Sequence, residues 1–195
     1  MAIFVFLSGT SQVGKTELYN NFPDVTQYKL SGQKFNTRRV EMNVTNIRKE
    51  LGNPSWSSLQ DDARLAEKHQ RSIINIYADR IKKAYDNAKP DDLFLFERTP
   101  IDVAGYSYSF GIDPRPYLCE HIDMVNYIGK SHTLYLIHLV PNPAYLYDRR
   151  DNTRPPFSVR VACGDYVEKH LDTRLRTSHA TVQQTLDWLG LMPAE

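Results

Sequence analysis

The stretch that decides the fold is Ile3-Phe4-Val5-Phe6-Leu7-Ser8-Gly9-Thr10-Ser11-Gln12-Val13-Gly14-Lys15-Thr16, residues 3 to 16. Its first five residues are β-branched, aromatic or leucine, too few for a helix and apolar throughout. That is the pattern of a strand buried on both faces. Gly9, four residues, then Gly14-Lys15-Thr16 fit the spacing G-x-x-x-x-G-K-[ST] in full. The chemistry explains the spacing. Glycines let successive backbone N–H groups converge on one anion. A helix predicted from Lys15 to Asn21 directs its positive end to the same place. Lys15 supplies a point charge for the β- and γ-phosphates, and the Thr16 hydroxyl suits Mg²⁺. Gly9, Thr10, Ser11, Gln12, Val13, Gly14, Lys15 and Thr16 are therefore expected to hold ATP or another nucleoside triphosphate.

Outward from this stretch, apolar strands alternate with helices. Leu93 to Phe96 and Thr133 to Val140 read as two further buried strands, and Val25 to Leu30 as a short one. Helical spacing predicts a long helix from about Ser58 to Ala88, with Asp61 and Asp62 near its positive end. Further helices are predicted over Ile101–Phe110 and Tyr117–Ile128. Residues 34–88 read as a largely helical acceptor-side region, interrupted at Gly52-Asn53-Pro54. Phe157 to Leu191 reads mainly as helix, with no clear final strand. The expected fold is α/β, a P-loop NTPase three-layer sandwich with a mainly parallel sheet, in one domain over residues 1–195.

Composition narrows the function. The chain has 195 residues, 41% apolar and 24% charged, with a net charge of +1. That balance argues against a sequence-blind duplex binder. No apolar run approaches ~18 residues, so no membrane span is expected. Cys119 and Cys163 lack metal or redox spacing and read as reduced thiols, placing the chain in a cytosol-like compartment. A guanine-reading N-K-x-D is missing, and the length is short for a mechanical ATPase. A small-molecule kinase fits best, and a kinase needs a lid that excludes water and brings arginines to the transferring phosphoryl group. Arg149, Arg150, Arg154 and Arg160 follow the third confident strand, so the lid is placed at about 144–162.

The second buried strand ends in Glu97-Arg98-Thr99-Pro100. In a parallel sheet its tip lies at the same edge as the Gly9–Thr16 loop. Glu97 is expected to take the acceptor proton or hold Mg²⁺, and Arg98 to bridge acceptor and γ-phosphate. Thr99 and Pro100 suit a helix start. Asp102 either faces the acceptor or complements the helix dipole. Tyr106 and Tyr108 either stack on a base or pack in the core. Lys34 to Glu50 holds five basic and two acidic residues, and Arg38 and Arg39 in it are candidates for an acceptor phosphate or a DNA backbone, against a solvated charged face. Trp56 offers a stacking face.

The phosphate loop, Glu97-Arg98-Thr99-Pro100-Ile101-Asp102 and the arginine cluster together resemble P-loop nucleoside and nucleotide kinases. The closest look is to the nicotinamide-ribose-kinase-like branch common in bacteriophage genomes, with Asn36–Arg39 and Tyr147–Pro155 resembling its motifs. Deoxynucleoside kinases carry a similar Glu-Arg-Ser. The resemblance implies transfer of a γ-phosphate to a nucleoside-type hydroxyl, with Lys15, Glu97, Arg98, Arg150 and Arg154 catalytic and Arg149 on the donor. It implies ATP and Mg²⁺ (Thr16, Glu97), and an acceptor contacted by Arg38, Arg39, Asp102 and Tyr106. One phage group with this look phosphorylates the hydroxymethyl group of 5-hydroxymethyluracil in DNA; others act on free deoxynucleotides. For a phage-encoded chain the compartment is the host cytosol. A regulatory switch that binds a nucleotide without transfer is the reading from another class.

Overall fold

The computed structural model describes residues 1–10, 13–42, 44–140, 155–171, 175–177 and 181–194. The chain is α/β, built on a mixed, mostly parallel sheet. The elements run β1 (Ile3–Ser8), α1 (Lys15–Asn21), β2 (Val25–Tyr28), β3 (Lys34–Val40), α2 (Val44–Glu50), α3 (Trp56–Asp61) and α4 (Ala63–Asp86). They continue through β4 (Asp92–Phe96), α5 (Pro100–Ser109), α6 (Arg115–Gly129), β5 (Thr133–Leu139), α7 (Phe157–His170), β6 (Leu175–Thr177), α8 (Val182–Leu189) and β7 (Leu191–Pro193). Sheet order is β6-β5-β1-β4-β3-β2-β7. The first five in that order pair parallel, while β2 is antiparallel to both β3 and β7.

β1 is central, and its alternate side chains divide the core. Phe4 and Phe6 enter one cluster with α4, α5 and α6, whereas Ile3, Val5 and Leu7 enter another with α1 and α8. This two-fold alternation on a strand buried on both faces explains its unbroken apolar sequence. The register Phe4↔Phe94 and Phe6↔Phe96 aligns four aromatic rings on one face. Phe6 and Phe96 stack at 4.2 Å with 9° between planes. Such a pair contributes about 0.5–1.5 kcal/mol beyond its burial.

Three segments depart from the expectations above. Residues 34–40, read as the start of a helical region, form β3. Phe35 alone on it is buried, so its sequence lacks the continuous apolar run of an inner strand. The expected helix from Ser58 to Ala88 is two helices divided at Asp62, whose carboxylate accepts from the Arg64 and Leu65 amides at 2.9 and 3.0 Å. Asp62 is thus an N-cap, a stronger role than dipole complementation. Finally, the C-terminal part contains β6 and β7, each three residues long, too short for a periodic signal. β6 pairs parallel to β5, supplying a fifth parallel strand.

Candidate active site at the strand ends

Parallel pairing brings the ends of β1, β3, β4 and β5 to one sheet edge. Gly9 leaves β1 with φ +130°, and a Cβ there would meet the Leu139 carbonyl oxygen at 2.4 Å. Glycine is therefore required both by the backbone conformation and by the close approach of β5. Gly14, with φ +87°, turns the chain into α1.

The loop's lysine is folded inward. Lys15 is 4% exposed, and Nζ donates to the carbonyls of Gly9 and Thr10. Burial, reinforced by the Arg98 guanidinium, pulls the Lys15 ammonium down to about 7. Thr16, exposed on the first turn of α1, donates from Oγ1 to the Glu97 carboxylate at the tip of β4. Glu97 itself is buried. Two residues 81 positions apart, both expected at a metal, thus stand within hydrogen-bond reach. Arg98, partly buried, donates to the Gly9 carbonyl at 3.3 Å. Burial opposes its charge, but Tyr106, Tyr77, Asp102 and Glu97 around it outweigh burial and raise it further.

Asp102 does not open toward solvent. It is 2% exposed, and Oδ1 accepts from Ser8 Oγ and the Gly9 amide, each at 2.9 Å. Oδ2 accepts from the Thr99 amide at 3.0 Å. Both oxygens thus accept from protein donors, Oδ1 from β1 and the glycine after it and Oδ2 from the cap of its own helix. Thr99 is the N-cap of α5 and Pro100 its first residue, as the sequence suggested.

Behind this edge lies a narrow cleft between α2, α3, α4 and α5. Trp56, His69, Gln70, Tyr77, Asp102 and Tyr106 are among its lining. Its interior of about 10 Å³ admits about one water. Tyr106 belongs here, buried, and burial pushes its phenol up to about 12. Tyr108 is 53% exposed and stacks on Tyr166, outside the cleft. Arg48 lies over the Trp56 ring at 4.2 Å. His69 is 5% exposed, and its Nε2 has no hydrogen-bond partner among the described residues. Burial, and then Arg48, pull His69 down to about 4, so the imidazole is neutral at physiological pH. His69 and Gln70 escaped sequence reading, yet Ala66, His69, Gln70, Ile73 and Tyr77 share one buried helical stripe. Polar residues inside such a stripe are the signal that was available.

Arg38 and Arg39, the two expected acceptor arginines, lie on β3. Arg38 pairs with Asp92 at 3.1 Å. Arg39 donates to the carbonyls of Tyr19, at 3.0 Å, and Phe22 and to the Asp24 carboxylate, tying β3 to the end of α1. Arg39 is held by three bonds, whereas the Arg38 side chain is about half exposed and makes the single bond to Asp92. Glu41, directly after β3, is a further carboxylate at this edge and accepts from Asn46. Val13 is partly buried against the α1-side core. Ser11, Gln12, Arg149, Arg150 and Arg154, with most of the expected lid, lie outside the described residues. The described end of that lid segment is the start of α7, where Val159 and Arg160 are buried. α7 packs on α5 through Gly105, where a Cβ would stand 2.9 Å from the Cys163 carbonyl. Cys163 and Cys119 are free thiols, and burial pushes the Cys163 thiol up.

No helix among the described residues is long and apolar enough to cross a membrane. No protein-family model matches the chain, and a search of curated proteins returns no match.

Proposed function

We propose that this protein is a P-loop kinase that transfers the γ-phosphate of ATP, or another nucleoside triphosphate, to a hydroxyl of a nucleoside-type acceptor. The observation that carries the reading is the pairing of Thr16 with Glu97 beside the buried Lys15 and Arg98. A glycine loop alone suits any phosphate. A carboxylate and a guanidinium delivered to it by the next strand suit phosphoryl transfer. The parallel order β6-β5-β1-β4-β3, with the loop after the central strand, supports a nucleotide-kinase-like sandwich.

Lys15 leaves the loop carbonyls and binds the β- and γ-phosphates. Arg98 stays beside Gly9 and neutralises charge that builds on the transferred group. Glu97 and Thr16 offer only hard oxygen donors, which fits Mg²⁺. No cluster of three metal-ligating acids, histidines or cysteines exists among the described residues. Mg²⁺ suits this, because it commonly takes one or two protein oxygens and completes its shell with phosphate and water. Bound there, it would neutralise phosphate charge. Glu97 is also assigned to take the proton of the acceptor hydroxyl, and Arg149, Arg150 and Arg154 are assigned to the lid by position in the sequence.

For the acceptor, the cleft lined by Trp56, Tyr106, His69 and Gln70 is the place for a base, with aromatic faces and a neutral imidazole for its polar edge. A base enters only if the cleft widens. The preferred acceptor is the 5-hydroxymethyl group of 5-hydroxymethyluracil in phage DNA, on the strength of the family resemblance. A free deoxynucleoside or deoxynucleotide is favoured by a different observation: Arg39 is engaged by Tyr19, Phe22 and Asp24, which leaves one arginine fewer for a DNA backbone. Acceptor-dependent ADP release tests the proposal. A kinase releases ADP in proportion to added acceptor, whereas a nucleotide-dependent switch releases no more ADP than without it.

A further inference from the structure

We propose that Asp102 is the positioning residue of the phosphate loop, holding the Gly9 peptide in place from the first turn of α5. The inference rests on the reading of residues 9–16 as a phosphate site. An acid at the third position of a helix ordinarily reaches back to the N-cap amide, and that needs one oxygen. Oδ2 of Asp102 does this, accepting from the Thr99 amide at 3.0 Å. The cap leaves Oδ1 unexplained. Oδ1 instead crosses to a segment more than ninety positions earlier and accepts from Ser8 Oγ and the Gly9 amide, both at 2.9 Å.

Gly9 is where such a grip matters. Its φ of +130° is open to glycine alone, and the Leu139 carbonyl blocks any side chain. Unheld, a glycine at the mouth of a loop has many conformations to sample. Here its amide is fixed by Asp102 and its carbonyl by Lys15 and Arg98. When Lys15 turns to a phosphate, Asp102 and Arg98 still hold both ends of the residue. A buried carboxylate is tolerated because three good donors and the nearby Arg98 guanidinium offset its desolvation. Asp102 also lines the cleft with Val103 and Tyr106. The donor loop and the acceptor wall are thereby joined through one side chain.

The test uses the full chain, with Asp102→Asn and Ser8→Ala as variants. The Gly9 amide is followed by ¹⁵N-resolved NMR and hydrogen exchange without nucleotide, and MgADP affinity is measured by titration. In the wild type the Gly9 amide should be shifted downfield and protected. In D102N it should move upfield, exchange faster, and be accompanied by about tenfold weaker MgADP binding. S8A leaves the α5 cap intact and should weaken MgADP binding about threefold while perturbing the same amide. Gly9 amide protection that is unchanged in either folded variant, after allowing in S8A for the intrinsic exchange rate next to alanine, overturns the proposal, since a carboxylate serving only as a cap would leave that protection unchanged. S8A decides alone if D102N does not fold. A wild type that binds no MgADP contradicts the kinase reading, and the Gly9 amide still decides the role of Asp102.

Discussion

Lys15 makes the sharpest prediction. In the folded chain it is buried beside Arg98 and titrates at about 7 instead of 10.5. At pH 8 such a lysine is about 90% neutral, and at pH 6 about 90% charged. A bound phosphate requires the ammonium. Binding at pH 8 must therefore take up about 0.9 proton per nucleotide, falling to about 0.1 at pH 6. Apparent affinity should drop roughly 50-fold between pH 7 and pH 9, from the fall in the charged fraction of the lysine. Calorimetric titration of MgADP at pH 8, in two buffers of different ionisation enthalpy, reads the uptake directly. The phosphates are already ionised at that pH and contribute little. The sign for stability without nucleotide follows from the same shift. Between about pH 7 and 10.5 the unfolded chain binds more protons at this lysine than the folded one, so its contribution to stability rises with pH across that window. Uptake near zero at pH 8 would refute the reasoning, because Lys15 would then be charged before the nucleotide arrives.

Other outcomes follow from single contacts. Glu97→Gln should lower transfer at least 100-fold and weaken the Mg²⁺ dependence, with nucleotide binding retained, as read by initial rates across a metal titration. Arg39→Met removes bonds to Tyr19, Phe22 and Asp24, so thermal or urea unfolding should show a loss of about 1–3 kcal/mol, with acceptor KM unchanged if its role is holding the sheet edge. Gly105→Val forces a side chain into the α5–α7 contact, and denaturant unfolding should register about 1–3 kcal/mol of overpacking. His69→Phe fills the buried position without a polar edge; it should raise the acceptor KM with donor KM unchanged, in steady-state kinetics.

The elements that position the site were legible because they obey a single rule. β1, β4 and β5 are apolar runs at the sheet centre, and α1 begins at Lys15 where the glycine spacing places it. Residues close to the Gly9–Thr16 loop in sequence, or at the tip of an obvious strand, could be found from one dimension. β3 was hidden because Lys34, Arg38 and Arg39 interrupt its apolar character, and their partners at Asp92 and Asp24 are known only from pairing. The same holds for Asp102. Sequence gives it a position at the start of α5 and leaves open what its second oxygen touches. Ser8 and Gly9 answer that question only once β1 and β4 lie side by side. His69 and Gln70 looked like ordinary polar residues until α4 turned them into a buried cleft.

The central claim is transfer, and labelled phosphate tests it most directly. The chain is incubated with Mg²⁺ and γ-labelled ATP, offering free nucleosides, deoxynucleotides and 5-hydroxymethyluracil-containing DNA side by side. The account predicts label on a nucleoside-type hydroxyl, on the DNA base in the preferred reading, and its loss in Glu97→Gln. Nucleotide binding with no label on any of these acceptors would contradict it.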